Sequence, residues 1–247
     1  MLIQPNRLLE RIMLYGGPGS GKTHAYLTIA HLLKHYGHPG KMRVIESDIG
    51  GASRVRELVF PDLRNVEIVP CEGWADYENA LENFRKVSLP HDWIVVDLAC
   101  RSWDECQESY SQAIYKKELA DHMLAERKKH GGGAIDQAGW GVIKSMYRGW
   151  VRDLFLRPKC HVLVCNTADQ LGEKENALTR STFDWVGQKP AGEKKFAHHP
   201  DSVLYMQQRR GSYWVQTIKD RGRRRLDQEV KYFASEYLMD VCGWVAQ

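Results

Sequence analysis

The 247-residue sequence predicts an α/β fold: a mainly parallel central sheet flanked by helices, with an antiparallel extension towards the C-terminus. Three observations predict it. Short apolar runs alternate with segments of helical periodicity through residue 165, the pattern of a parallel sheet covered on both faces. Between the first run and the first helix lies Gly16-Gly17-Pro18-Gly19-Ser20-Gly21-Lys22-Thr23, a full match to G-x-x-x-x-G-K-[ST] in strand–loop–helix context. Two later apolar runs, 202–206 and 212–218, face each other across Arg210-Gly211 as strands around a turn would.

The elements follow in order. Residues 11–15 read as the first strand. Tyr26, Ile29, Ala30 and Leu33 recur at i, i+3, i+4 and i+7, a helix that ends near Gly37. A second strand covers 42–46 and a short one 66–70, before a helix with Trp74, Tyr77, Leu81 and Phe84 on one face. Residues 93–98 and 161–165 are two more buried strands. Between them one helix spans about 102–129, and a second carries Ile143, Met146, Tyr147, Trp150 and Leu154. His130-Gly131-Gly132-Gly133 and Ala138-Gly139-Trp140-Gly141 break the two apart. From 171 to 200 the chain is polar and without periodicity, so a functional or disordered loop is expected. The segment 232–245 is expected to pack on the core. The expected organisation is one domain over 1–247, with a core at about 8–225, a helical insertion at about 102–157 and a C-terminal extension at about 226–247.

Composition narrows the class. With 43% hydrophobic residues the chain can bury one large core. No apolar run approaches the ~20 residues that span a bilayer, and the N-terminus lacks the apolar stretch of a secretory signal. A soluble, cytoplasmic protein with no membrane partner is the expectation. Cys71, Cys100, Cys106, Cys160, Cys165 and Cys242 include no C-x-x-C pair, so buried reduced thiols are expected. Net charge is only +4, but Arg127-Lys128-Lys129-His130, Lys194-Lys195, Arg209-Arg210 and Arg221-Gly222-Arg223-Arg224-Arg225 all fall in the second half. Clustered cations of this kind suit a polyanionic partner.

The chemistry starts at the glycine loop. Its glycines let backbone N–H groups turn around phosphate oxygens, and the helix N-terminus adds partial positive charge. Gly16, Gly17, Pro18, Gly19, Ser20, Gly21, Lys22, Thr23 and His24 are the candidate nucleotide-binding residues. Lys22 would reach the β- and γ-phosphates, and the Thr23 hydroxyl would ligate Mg²⁺. A second Mg²⁺-organising carboxylate is needed at the end of a buried strand, and Asp97 follows four apolar residues. Leu98 follows it, so the next position cannot act as a base. Glu46 and Asp48, 24 and 26 residues beyond Lys22, lie at the end of the second strand and are the candidates to orient an attacking water.

Together these landmarks resemble the RecA/RadA-type ATPase core over about residues 8–225. The segment Val44-Ile45-Glu46-Ser47-Asp48 resembles the one bearing that family's catalytic carboxylate, Asp48 matching better by pattern and Glu46 by spacing. Asn166-Thr167 resembles the polar sensor that couples γ-phosphate to a DNA-binding loop, and Thr217-Ile218-Lys219-Asp220-Arg221 is similar to the K-x-R element that reaches a neighbour's γ-phosphate. The resemblance implies ATP and Mg²⁺ as cofactors, with Lys219 and Arg221 acting in trans within a homo-oligomer. The short single-domain form is most similar to phage-type ATPases of single-strand annealing and recombination. About ten residues precede the first strand, which leaves little room for a polymerising arm, so ring or DNA-templated assembly rather than stable filaments is the expectation.

The resemblance further implies single-stranded DNA as a partner, with a single-strand-binding protein as a further one. Single-strand binders combine basic grooves with aromatic surfaces. Trp140, and Phe183 and Trp185 with Arg180, Lys189, Lys194 and Lys195, supply that mixture. Three other readings stay open: a ring-forming helicase or packaging motor, a small-molecule phosphotransferase whose lid would be 171–200, and a scaffold that hydrolyses ATP barely.

Overall fold

The alternation of strand and helix is realised in the computed structural model, which describes residues 2–3, 9–47, 50–130, 135–221, 229–231, 233, 237, 239 and 244–246. In chain order the strands are β1 (Leu2–Ile3), β2 (Arg11–Gly16), β3 (Met42–Glu46), β4 (Val66–Pro70), β5 (Trp93–Asp97), β6 (His161–Gln170), β7 (Gln188–Pro190), β8 (Ser202–Arg209), β9 (Ser212–Asp220), β10 (Glu229–Lys231) and β11 (Val245–Ala246). The helices are α1 (Lys22–His35), α2 (Gly51–Val59), α3 (Trp74–Val87), α4 (Ala99–Tyr115), α5 (Leu119–His130), α6 (Gln137–Phe155) and α7 (Ala177–Phe183), with a 3₁₀ turn at Phe196–His198.

The central sheet runs β10-β9-β8-β2-β6-β5-β3-β4. The pairs from β8 through β2, β6, β5 and β3 to β4 are parallel, whereas β8–β9 and β9–β10 are antiparallel. Because side chains alternate along a strand, each central strand feeds two cores. Ile12, Leu14, Trp93, Val95, Leu163 and Cys165 meet α1 and α2 on one face. Met13, Tyr15, Ile94, Val96, Val162 and Val164 meet α3, α4 and α6 on the other. Continuous apolar strands result because both faces are dry. Phe233, Tyr237 and Trp244 complete the first core, so the described part of the C-terminal segment packs as expected.

Several elements differ from the sequence reading. The long helix predicted from 102 is two, α4 and α5, parted where Lys116 takes a left-handed φ of 56°. Residues 171–200 are ordered by α7, β7 and the 3₁₀ turn rather than forming one structureless loop. β6 runs five residues beyond the predicted end, because β7 folds back antiparallel on residues 168–170 and supplies hydrogen bonds past the sheet edge. The sequence reading assigned no element to α2, although Ala52, Val55 and Val59 recur there at i, i+3 and i+7. The triple glycine at 131–133 and the basic run at 223–225 lie outside the described residues. The five described cysteines are free and buried. No described helix is long and apolar enough to cross a membrane.

Candidate nucleotide site

The carboxyl ends of the parallel strands form the edge where ligands gather in open α/β sheets. β2 leaves that edge at Gly16, where an added Cβ would run into the Met206 carbonyl and Ser20. Gly21, the residue before α1, has φ 90°, a conformation that side chains resist. No side chain caps α1 and no acid sits in its first turn, so its leading N–H groups and the positive end of its dipole are left for an anion. Lys22 Nζ donates to the carbonyls of Gly16 (2.9 Å) and Gly17 (3.0 Å) and to Ser20 Oγ (3.3 Å). The cation thus lies across the loop at the place where a phosphate chain would compete for it.

Asp97 ends β5 and is 3% exposed. Its Oδ2 accepts from Thr23 Oγ1 at 3.0 Å and from Tyr26 Oη at 3.0 Å. Burying an isolated carboxylate costs far more than one hydrogen bond returns, so both hydroxyls matter. Burial, and then the Asp97 charge, raise the Tyr26 pKa well above its ordinary value and keep it a donor. Mg²⁺ takes hard oxygen ligands and retains several waters. The Thr23 hydroxyl and Asp97 carboxylate, already adjacent beside the loop, fit that demand and are the residues that would hold it. Held by these two oxygens, Mg²⁺ would supply positive charge to offset charge developing on a bound phosphate.

Glu46 pairs in register with Asp97 across β3 and β5 and is also buried. One carboxylate oxygen accepts from Ala52 N at the start of α2, and the other lies 3.5 Å from Ser53 Oγ. Glu46 therefore anchors α2 as well as standing beside Asp97. The alternative, Asp48, lies outside the described residues. Ser47 extends the ladder: its N–H donates to Asp97 O (2.7 Å) and its Oγ accepts from Leu98 N (2.7 Å). It brackets the Asp97–Leu98 peptide, which is cis.

Asn166 and Thr167 lie within β6, not after it, opposite Tyr15 and Gly16 of the loop strand. β6 separates β2 from β5, so Asn166 stands between the loop strand and the Asp97 strand. It is fully buried, and its Oδ1 has no hydrogen-bond partner among the described residues. Its Nδ2 donates to Ala191 O at 3.3 Å, while Ala191 N donates to Thr167 O at 3.0 Å. Thr167 Oγ1 also lies 3.4 Å from Cys100 Sγ. The turn after β7 is thereby tied to the strand beside the loop.

A phosphate-binding loop, a Thr–Asp pair for a cation and a buried amide between their strands now stand in one row. A family model described as an AAA domain matches residues 10–234. The chain belongs to the AAA-domain family. No curated protein matches it. As an AAA domain it is a P-loop nucleotide-binding ATPase domain, in a family that generally binds ATP with Mg²⁺.

The remaining predicted residues of this AAA domain are placed as follows. Lys219 pairs with Val203, and Asp220 with Ser202. Ser202 in turn pairs with Ile12, four residues before Gly16, so this edge is about 13 Å from the P-loop along the strand. Lys219 and Arg221 therefore do not reach their own subunit's loop. Lys219 Nζ donates to the carbonyls of Ala197, His198 and Pro200, and burial lowers its pKa to about 8. Arg221 donates to His198 O and pairs with Asp201. Phe183 is not available as a stacking platform: it is buried, edge-on to Tyr15 at 6.0 Å. Trp140 packs partly buried against the same core. Arg180 binds the Gly172 and Glu173 carbonyls, and Lys189 pairs with Glu175 at 3.3 Å. Both are occupied with ordering the 171–190 segment.

Trp185, Lys194 and Lys195 remain exposed. A groove of about 840 Å³ is lined by Phe183, Trp185, Lys194, His198, Lys219 and Arg221. The cations assigned to the neighbour's phosphate and those assigned to DNA thus meet in one place. Sequence reasoning missed three groups of the AAA domain: the Tyr26 hydroxyl, Ser47 and Tyr213, whose ring lies against Gly21. Tyr26 was visible only as one member of the apolar stripe of α1.

Proposed function

We propose that the protein hydrolyses ATP with Mg²⁺ at residues 16–23 and that single-stranded DNA activates it, in recombination, annealing or replication. The observation that carries this reading is the Asn166–Ala191 hydrogen bond. Asn166 neighbours the P-loop strand, and Ala191, which it holds, is three and four residues from the exposed Lys194 and Lys195. A phosphate at the loop and a strand on those lysines would bear on one hydrogen-bonded unit. The exposed Lys194 and Lys195 offer charge for DNA phosphates, and the exposed Trp185 offers a flat face for a base.

In this reading Lys22 neutralises the γ-phosphate and Glu46 orients the attacking water. Lys219 and Arg221 sit too far from their own P-loop to serve it, so any role at a γ-phosphate belongs to a neighbouring subunit in a homo-oligomer assembled on DNA. ATP turnover measured with and without single-stranded DNA, alongside sizing with an ATP analogue, tests the proposal. Stimulation that weakens as salt rises, with a larger assembly on DNA, is the expected result. Unchanged turnover and no salt-sensitive DNA binding would overturn it.

A further inference from the structure

We propose that Tyr213, stacked with His24 beside the P-loop, seats the base of the bound nucleotide. This rests on the nucleotide site described above and names the part of the ligand that the P-loop itself does not hold. The loop and the first turn of α1 account for the phosphates. The rest of a nucleoside triphosphate must leave past the residues that follow Thr23, and His24 is the next one.

The β8–β9 hairpin brings Tyr213 to that point. A Cβ at Gly21 would lie 2.6 Å from Tyr213 Cδ1, so the ring rests directly on the loop's last glycine. The Tyr213 and His24 rings stack at 5.9 Å with 24° between their planes, and Phe60 lies 5.2 Å from His24 on α2's side. All three rings are half-buried, which leaves aromatic surface at the mouth of the site. A flat aromatic pair next to a phosphate cradle suits a nucleobase, which can stack on it whatever its edge pattern. A Tyr213 that only covered Gly21 or braced the hairpin would treat tripolyphosphate and ATP alike.

The experiment separates these by removing the base from the ligand. Affinities for Mg·ATP and for inorganic tripolyphosphate are measured for the full chain, for Tyr213→Leu, which keeps bulk against Gly21, and for Tyr213→Trp, which keeps an aromatic face. The expected result is an about 10-fold loss of ATP affinity in Tyr213→Leu, with tripolyphosphate within about 2-fold and Tyr213→Trp close to the parent for both. Equal weakening of both ligands in Tyr213→Leu, or no change in ATP affinity, would overturn the proposal. A parent chain that bound neither ligand would overturn the nucleotide site itself, and the base seat with it.

Discussion

Thr23 Oγ1 donates to Asp97 Oδ2 at 3.0 Å, although 74 residues separate them in the chain. The bond joins the first turn of α1 to the end of β5 and brings together the two oxygens that would hold Mg²⁺. Replacing Asp97 with Asn keeps the volume but removes the charge. Turnover at fixed Mg²⁺ is expected to fall by about 10- to 100-fold, with partial recovery as Mg²⁺ is raised. A Mg²⁺ titration of ATP turnover checks it.

Glu46 anchors α2 and, in the proposed function, orients the attacking water; two substitutions separate the two roles. Glu46→Gln retains an acceptor for Ala52 N but cannot accept a proton, so it should melt like the parent while losing about 100-fold or more in turnover. Glu46→Ala also frees the α2 N-terminus and should cost a further ~1 kcal/mol or more of stability. Denaturant melts beside turnover assays distinguish them. Full turnover in Glu46→Gln would leave Glu46 a purely structural anchor.

Asn166→Ala removes the amide that joins β6 to Ala191. Nucleotide binding should change by less than about 3-fold, while the ratio of turnover with and without single-stranded DNA falls towards one. That signature is a lost coupling between two sites rather than a lost site. Parallel binding and turnover titrations read it.

Phe183 and Trp185 stand two residues apart with opposite environments. Phe183→Ala opens a cavity against Tyr15 and should cost about 3 kcal/mol. Trp185→Ala, half-exposed at the groove, should stay within about 0.5 kcal/mol of the parent and weaken single-stranded DNA binding by about 5-fold or more. Melts and fluorescence anisotropy separate the pair.

His161 supplies the pH dependence. Burial, then the nearby Arg11 charge, lower its pKa to about 3 from the ordinary 6.5. Its Nδ1 accepts from Glu10 N, and its ring stacks on Trp93 at 4.6 Å. The unfolded chain therefore binds a proton first, and stability falls as pH drops from about 6.5 towards 3. The expected loss is about 2 kcal/mol between pH 7 and pH 5. His161→Gln keeps an acceptor for Glu10 and should flatten that slope in denaturant titrations.

What could be read from the sequence was local. The P-loop, the apolar run into Asp97 and the carboxylate at 46 are each written within a dozen residues, and the structure sets Asp97 and Glu46 side by side. Asn166 was placed beyond a strand that in fact contains it, because the strand's last residues are held by a partner segment about 20 residues later. Composition could not tell which cations were free. Lys189 looked like its neighbours Lys194 and Lys195, yet only the fold sets Glu175 3.3 Å from it. Phe183 and Trp185 share a polar stretch with no periodicity, and the packing of α7 alone turns one inward.

β6 also acts as a gauge. Because it lies between β2 and β5, the strands bearing the P-loop and Asp97 are two ladder steps apart, about 9.6 Å. Backbone hydrogen bonds set that span, and Thr23 closes it from α1 rather than from β2. Side-chain changes along β6 can therefore alter what lies midway across the site while its width stays constant, so the groups between the loop and Asp97 are free to change without moving either.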